Sequence, residues 1–316
     1  MIAHSMKREY GLDRVERDRN SVVTVGSFDG VHVGHQAIIR YLVRRAKVHH
    51  AQSVVVSFEP HPREVLTGEV MPLLTTIDER ADCLEALGLD RFIILEFTRE
   101  FAARSAEDFV SDILVGCIGV QEVVVGYDHR FGRGRKGDTH LLKQMGKELG
   151  FDVDIIPAQA VAEDIVSSSR IRTLLTRDGD VRGVALLLAR PYTLDGAIVR
   201  GAGRGRTIGF PTANIRIAND KKVVPRHGVY AVRVRFRGED QAYGGMMNIG
   251  VRPTVNSTRE THLEVHLFDF NHDVYGQDIQ IAFVDRLRDE RKFASLEDLT
   301  AQLKRDEHSS RSLLGV

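Results

Sequence analysis

The stretch Ser21-Val22-Val23-Thr24-Val25-Gly26-Ser27-Phe28-Asp29-Gly30-Val31-His32-Val33-Gly34-His35 runs a β-branched segment straight into a glycine turn, and an amphipathic segment from Gly34 to His49 follows. Strand, turn and helix in that order open a βαβ unit. The alternation continues: the pattern predicts further strands at Ser53 to Phe58, Arg91 to Leu95, Glu122 to Val125 and Val153 to Ile156. Helical patterns separate them at Ile77 to Leu87, Ser105 to Val115 and Thr139 to Leu149, with Ser105 placed as an N-cap. The fold expected for this half is α/β, a doubly wound parallel sheet with helices on both faces.

From about Pro191 the pattern changes. Short alternating runs broken by Gly, Pro and Asn lie at Tyr192 to Val199, Val229 to Phe236, Ala242 to Ile249, His262 to Phe268 and Asp278 to Phe283. Such spacing predicts a small antiparallel β-barrel. A last helix is expected from Ser295, as N-cap, to about Lys304, with Leu296, Leu299 and Leu303 on one face. The boundary falls between Val184 and Arg190, giving domains at 1–185 and 186–316.

Length and composition agree with two domains. The chain has 316 residues, and 42% are hydrophobic, far too many for a disordered chain. Lys+Arg and Asp+Glu are both 44, so the formal net charge is zero, which argues against a nucleic-acid coat or a polybasic membrane binder. The two cysteines, Cys83 and Cys117, form no CxxC and can build neither a disulfide framework nor a thiolate zinc site. The longest apolar run, Val184 to Ala189, falls far short of the ~18 residues that span a bilayer, and the first twenty residues hold no apolar signal core. A soluble cytoplasmic protein that binds small molecules, with no nucleic-acid or membrane partner, is the expectation. Composition leaves the oligomeric state open.

The glycine turn after the first strand lets backbone N–H groups approach an anion, and the helix N-terminus adds its partial positive charge. Gly26, Phe28, Asp29 and Gly34 are therefore candidates for nucleotide contact, and His32 and His35 for donating to phosphate oxygens as charge builds on them. Metal ligation by the two histidines is the alternative, weakened by the want of a third ligand nearby. Ser167-Ser168-Ser169-Arg170-Ile171-Arg172 starts a helix whose hydroxyls and arginines could grip a phosphate, although a serine run also serves as an ordinary cap. Phe58 to Arg63 and Gly126 to Gly132 each follow a predicted strand, where open α/β sheets place their ligand crevice. The run Arg130, Arg133, Arg135, Lys136 reads as a solvated loop or a short RNA patch, locally balanced by Asp138.

In the second half Gly201, Gly203, Gly205 and Gly209 interleave with Arg200, Arg204 and Arg206 just before Gly209-Phe210-Pro211-Thr212-Ala213-Asn214. Glycines with cations suit a phosphate flap or simply a mobile hairpin, while Thr212 and Asn214 can face one side as neutral oxygen ligands of the kind Mg²⁺ takes beside substrate phosphates. In His262 to Phe270 alternation puts Glu264, His266 and Phe268 on one face. Glu264 is then a general base or an edge-strand salt-bridge partner.

GSFDGVHVGH, FEPHPREVL, GYDHRFG and SSSRIR, followed by GRTIGFPTANI, MMNIGVRPTV, EVHLFDFNHDVYG and LRDERKF, resemble the bacterial bifunctional riboflavin kinase/FAD synthetase family over essentially all of residues 20 to 310. The resemblance implies an adenylyltransferase of the HxGH type followed by a riboflavin kinase barrel. It implies that His32 and His35 stabilise ATP phosphates, that Asp128 lies at the nucleotide and metal site, and that Ser168 and Arg172 hold phosphates. Gly205, Arg206 and Gly209 of the glycine stretch are the candidates for nucleotide contact in the barrel, where the resemblance implies that Thr212 and Asn214 ligate Mg²⁺, that Glu264 deprotonates the ribityl 5′-hydroxyl, and that Arg288 contacts flavin. The chain departs from the family pattern at Ser27 (usually Asn), His129 (usually Phe), Ser169 (usually Thr) and Ala189 (commonly Gly). The activity implied is phosphorylation of riboflavin by ATP to FMN, then adenylylation of FMN by a second ATP to FAD with release of pyrophosphate. Transfer of a nucleotide to another acceptor, or a flavin-sensing or RNA-binding module on an inactive fold, are the rivals. The intact set His32, His35, Thr212, Asn214 and Glu264 argues against a mere binder.

Overall fold

The computed structural model describes residues 5–156, 160–161, 164–201, 205, 208–253 and 259–316. The chain divides into two compact units, Met1–Ser168 and Ser169–Val316.

The first unit is built on a six-stranded sheet: β1 (Lys7–Tyr10), β2 (Ser21–Val25), β3 (Gln52–Glu59), β4 (Arg91–Glu96), β5 (Val120–Gly126) and β6 (Asp152–Ile156). Its order is β1-β4-β3-β2-β5-β6, and every neighbouring pair is parallel. The connections include α1 (Val33–Val48), α2 (Pro62–Thr67), α3 (Ile77–Ala86), α4 (Arg99–Ala102), α5 (Ala106–Asp108) running on as a π-helix over Phe109–Ile118, and α6 (Thr139–Leu149). Ser105 caps α5 as expected, its side chain accepting from the Asp108 N–H.

The sheet is doubly wound because its strands are apolar on both faces. Val23, Val25, Val54 and Val56 join Phe109, Ile113 and Leu142 in one core layer. Their neighbours Val22, Val55, Phe92 and Ile94 turn the other way, against Ile39, Leu42 and Leu84 of α1 and α3. Strand β1 was not foreseen from the sequence. Its residues, Lys-Arg-Glu-Tyr, hold the sheet edge because Glu9 is buried against Arg91 with paired contacts of 2.9 and 3.1 Å. Two residue pairs, β7 (Ala160–Val161) and β8 (Asp164–Ile165), form a small antiparallel ladder late in this unit.

The second unit begins with the bulk of α7 (Ser168–Thr173), a π-helical turn (Leu174–Asp178) and α8 (Val181–Leu188). Six antiparallel strands then close a barrel in the order β10-β13-β12-β11-β14-β9: β9 (Thr193–Val199), β10 (Ala213–Ile217), β11 (Gly228–Phe236), β12 (Ala242–Pro253), β13 (Arg259–Leu267) and β14 (Asp278–Arg288). The final helix α9 (Leu296–Leu314) packs on β11, β12 and β14. The sequence places the change of domain at 185/186, where the strand pattern alters. By its contacts the preceding helical segment goes with the barrel, since α8 packs on β14 and the Arg226 N–H donates to the Leu175 carbonyl at 2.8 Å.

Candidate active sites

In the sheet of the first unit, β3 and β4 lie to one side of β2 while β5 and β6 lie to the other, so the winding reverses between β2 and β5. Ligands of open α/β sheets bind beyond the carboxyl ends of the strands at this reversal. The loops leaving β2 and β5 are the two whose sequences carry the glycines and histidines, 26–32 and 127–137.

His32 is the N-cap of α1, and its Nδ1 accepts the N–H of His35 at 3.3 Å, while the two rings stack with centroids 3.6 Å apart. Burial pushes His32 down to about 4, and burial together with the charge of His32 and of Arg80 holds His35 well below 6.5. Both rings are uncharged at neutral pH. With Nδ1 accepting, the proton of His32 sits on Nε2, so the pair offers neutral hydrogen-bond donors rather than cations. The same use of Nδ1 disfavours the metal alternative, and no three His, Cys, Asp or Glu side chains converge as a metal site among the described residues.

Glycines let this loop pack closely. A Cβ on Gly34 would lie 3.1 Å from Val166 and 3.3 Å from the His32 ring, and one on Gly26 would lie 3.1 Å from the Phe28 ring. Phe28 is buried and meets His35 edge-on at 5.1 Å. Phe28 and Val31 hold left-handed backbone at φ 47° and 40°, a conformation that costs on the order of 1 kcal/mol for such side chains.

Asp29 is 1% exposed, and its carboxylate accepts the N–H groups of Leu74 and Thr75 and the Thr75 hydroxyl at 2.9–3.1 Å. Arg80, also buried, reaches it at 3.9 Å and donates to Ser57 Oγ at 3.1 Å. Asp29 thus braces the loop from beneath. Arg80 and Thr75 escaped the sequence reading, although a charged residue on the same helical stripe as Ala81 and Leu84 was a visible signal. Ser168 closes onto this loop, its hydroxyl donating to the Asp29 carbonyl at 2.9 Å.

Asp128 is exposed on the loop after β5. Next to it His129 stacks at 5.6 Å on Phe131, and burial holds it down to about 4, so this histidine serves as the flat neutral ring that a Phe would be. Arg172 belongs to the second unit, half-buried on α7.

The barrel unit holds a cavity of about 630 Å³. Its polar wall is set by strand register. Asn214 on β10 and Asn248 on β12 both pair across to Glu264 on β13, giving one row over three neighbouring strands. Thr212 and His266 join this wall, with His266 Nδ1 2.7 Å from the Pro211 carbonyl. Asn214 is 6% exposed, and its Oδ1 is buried with no hydrogen-bond partner among the described residues. Gly201 and Gly205 allow the approach, because a Cβ on Gly201 would collide with the Asn214 amide and one on Gly205 with the Phe210 carbonyl. Gly209 is exposed at φ 81°, and Arg206 lies outside the described residues.

The apolar wall comes from Phe293, Leu296, Leu299 and Leu303 together with Met246 and Met247. The leucine stripe foreseen on the last helix is therefore a cavity lining. Arg288 also lines the cavity, but its guanidinium is gripped by the buried Asp306 at 2.7–3.1 Å. His262, unremarked in the sequence, places Nε2 2.7 Å from Glu264 Oε1.

A family profile described as FAD synthetase matches residues 14–170, and one described as riboflavin kinase matches residues 188–314. Curated relatives named bifunctional riboflavin kinase/FMN adenylyltransferase include those of Escherichia coli K12, 40% identical over 296 residues, and Bacillus subtilis 168, 37% identical over 301 residues; both matches cover 93% of either chain. A solved Streptococcus pneumoniae chain described as a macrolide-efflux protein is 32% identical, with a TM-score of 0.88 over 97% of this chain and 99% of that one. Its description differs from the names of the sequence relatives. The two profiles divide this chain between one unit with a phosphate-type loop at the sheet's reversal and another with a carboxylate-lined cavity, and with the relatives they decide the matter: the chain belongs to the bifunctional riboflavin kinase/FMN adenylyltransferase family.

Proposed function

We propose that the barrel transfers the γ-phosphoryl group of ATP to riboflavin and that the sheet unit then joins the product to AMP. The enzyme makes FMN from riboflavin and FAD from FMN, with ATP as co-substrate in both steps. The observation that carries the assignment of residues is the row Asn214, Glu264, Asn248 in register along a cavity that is also lined by apolar side chains fit for a flavin ring.

In the barrel, Glu264 takes the proton of the ribityl 5′-hydroxyl as that oxygen attacks the γ-phosphorus, and ADP leaves. Thr212 and Asn214 Oδ1, which is buried and has no hydrogen-bond partner among the described residues, are neutral oxygens that fit Mg²⁺ and would hold it. Bound there, the ion would neutralise phosphate charge. Gly205 and Gly209 are assigned to nucleotide contact. Arg288, fixed by Asp306, presents its edge to the flavin side of the cavity.

In the sheet unit, an oxygen of the FMN phosphate attacks the α-phosphorus of ATP and pyrophosphate leaves. The attacking oxygen is already anionic, so no general base is required. Positioning and charge stabilisation suffice, and neutral His32 and His35, the glycine-turn N–H groups and the α1 N-terminus supply them. Ser168 and Asp128 are assigned to phosphate and nucleotide contact. No helix among the described residues is long and apolar enough to cross a membrane. Dependence on ATP and two cysteines that form no disulfide support a cytoplasmic site of action.

Glu264→Gln keeps shape and hydrogen bonding but removes basicity, so riboflavin phosphorylation should fall by roughly 10²–10⁴ while supplied FMN is still converted to FAD. Measuring FMN and FAD separately over time checks this. Kinase turnover near that of the parent enzyme would refute the assignment of Glu264.

A further inference from the structure

We propose that His262 is a positioning residue for the kinase step, holding Glu264 Oε1 so that the carboxylate is kept in the orientation that meets the ribityl hydroxyl. The inference rests on the reading of Glu264 as the general base.

His262 and Glu264 are two residues apart on β13 and so share a face, with the His262 Nε2 to Glu264 Oε1 distance at 2.7 Å. An ionised carboxylate only accepts, so Nε2 carries the hydrogen and donates it. A glutamate side chain has three rotatable bonds, and fixing one oxygen removes most of the freedom that would otherwise be lost on reaching the reactive geometry.

The pair is set in a wall rather than on open surface. The two side chains are 26% and 22% exposed, and Glu264 lies between Asn214 and Asn248 in register. Across the strand pair His262 faces Gly250, where a Cβ would collide with the Glu290 carboxylate and approach Asn248 Nδ2 to 3.1 Å. The absent side chain at Gly250 leaves room there for the side chains of Glu290 and Asn248, which line the cavity with Glu264. Histidine is suited to the task because a planar ring reaches the carboxylate two residues along the strand with only two rotatable bonds.

Three variants of the full-length enzyme test this by steady-state kinetics with riboflavin. His262→Ala and His262→Asn withdraw the donor, the second because its amide is too short to reach Glu264, and each should lower kinase kcat about tenfold with little change in the riboflavin KM. His262→Gln keeps a donor at similar reach and should restore most of the loss. FAD formation from supplied FMN, made by the other unit, should be unchanged in all three. Unchanged kcat in His262→Asn, a loss carried by KM, or failure of Gln to rescue would each overturn the positioning role. Glu264→Gln is run alongside. If it retains near-normal kinase activity, the reading of Glu264 itself fails; if it is inactive while His262→Asn is normal, only the role of His262 fails.

Discussion

His32 and His35 act as uncharged groups, and this sets what their removal does. His35 offers a ring held by Phe28 on one side and His32 on the other. Losing one fixed donor to developing phosphate charge costs about 10²–10³ in rate, so His35→Ala should reduce FAD formation by that factor and leave riboflavin phosphorylation alone. Separate assays of the two steps decide it, and parallel loss of both would be the contrary result. Acid stability follows from the same burial. In the unfolded chain these histidines and His129 take up protons near pH 6.5, whereas folding holds His32 and His129 unprotonated down to about 4 and burial holds His35 well below 6.5. Between those limits the unfolded state binds more protons, so stability is complete above 6.5 and drains away as the pH falls toward 4. His129→Phe keeps the stack on Phe131 and deletes one titrating group. Its melting temperature should therefore decline less steeply than that of the parent between pH 7 and 4.5; equal slopes would show that His129 is protonated in the folded protein.

Helix ends and strand edges show where sequence pattern carries information and where it does not. Ser21–Val25 and Thr139–Leu149 fall where periodicity places them, because both bury one uninterrupted apolar pattern. Strand β10 does not announce itself, since Gly-Phe-Pro-Thr-Ala-Asn reads as a turn and only pairing with β9 and β13 makes Ala213–Ile217 a strand. Helix α9 continues well past Lys304 although Arg305 to Ser312 is polar. Asp306 and Ser310 are buried there, and the pairing of Asp306 with Arg288 is a long-range contact that no local pattern records. The face that Glu264 shares with His266 was legible from alternation on β13, but its contact with His262 was not, because a 2.7 Å contact depends on side-chain geometry. At the end of α8, Ala189 occupies left-handed backbone at φ 53°, where the family commonly has Gly. Ala189→Gly relieves that strain and should stabilise the barrel unit by about 0.5–1 kcal/mol without altering either activity. A denaturant midpoint that does not rise in the variant would contradict the account.

Two units with separate cores and separate sites predict separable functions. A fragment spanning residues 169–316 retains α8 against β14 and the complete barrel cavity. It should phosphorylate riboflavin and form no FAD, which chromatography of its products with riboflavin or FMN as substrate would show. A folded fragment that makes no FMN would count against the division. The barrel's ring closure also bears on how the protein is made. All six strands of the parallel sheet have been translated once Ile156 is reached, whereas β9 waits for β14, some eighty residues later in the chain, before its second edge is paired. Domains emerging from the ribosome fold in order of synthesis, and unpaired edges are open to neighbouring chains until they close. The half that completes FAD is thus assembled first, while the half that must supply its FMN stays vulnerable to aggregation until Arg288 has cleared the exit tunnel.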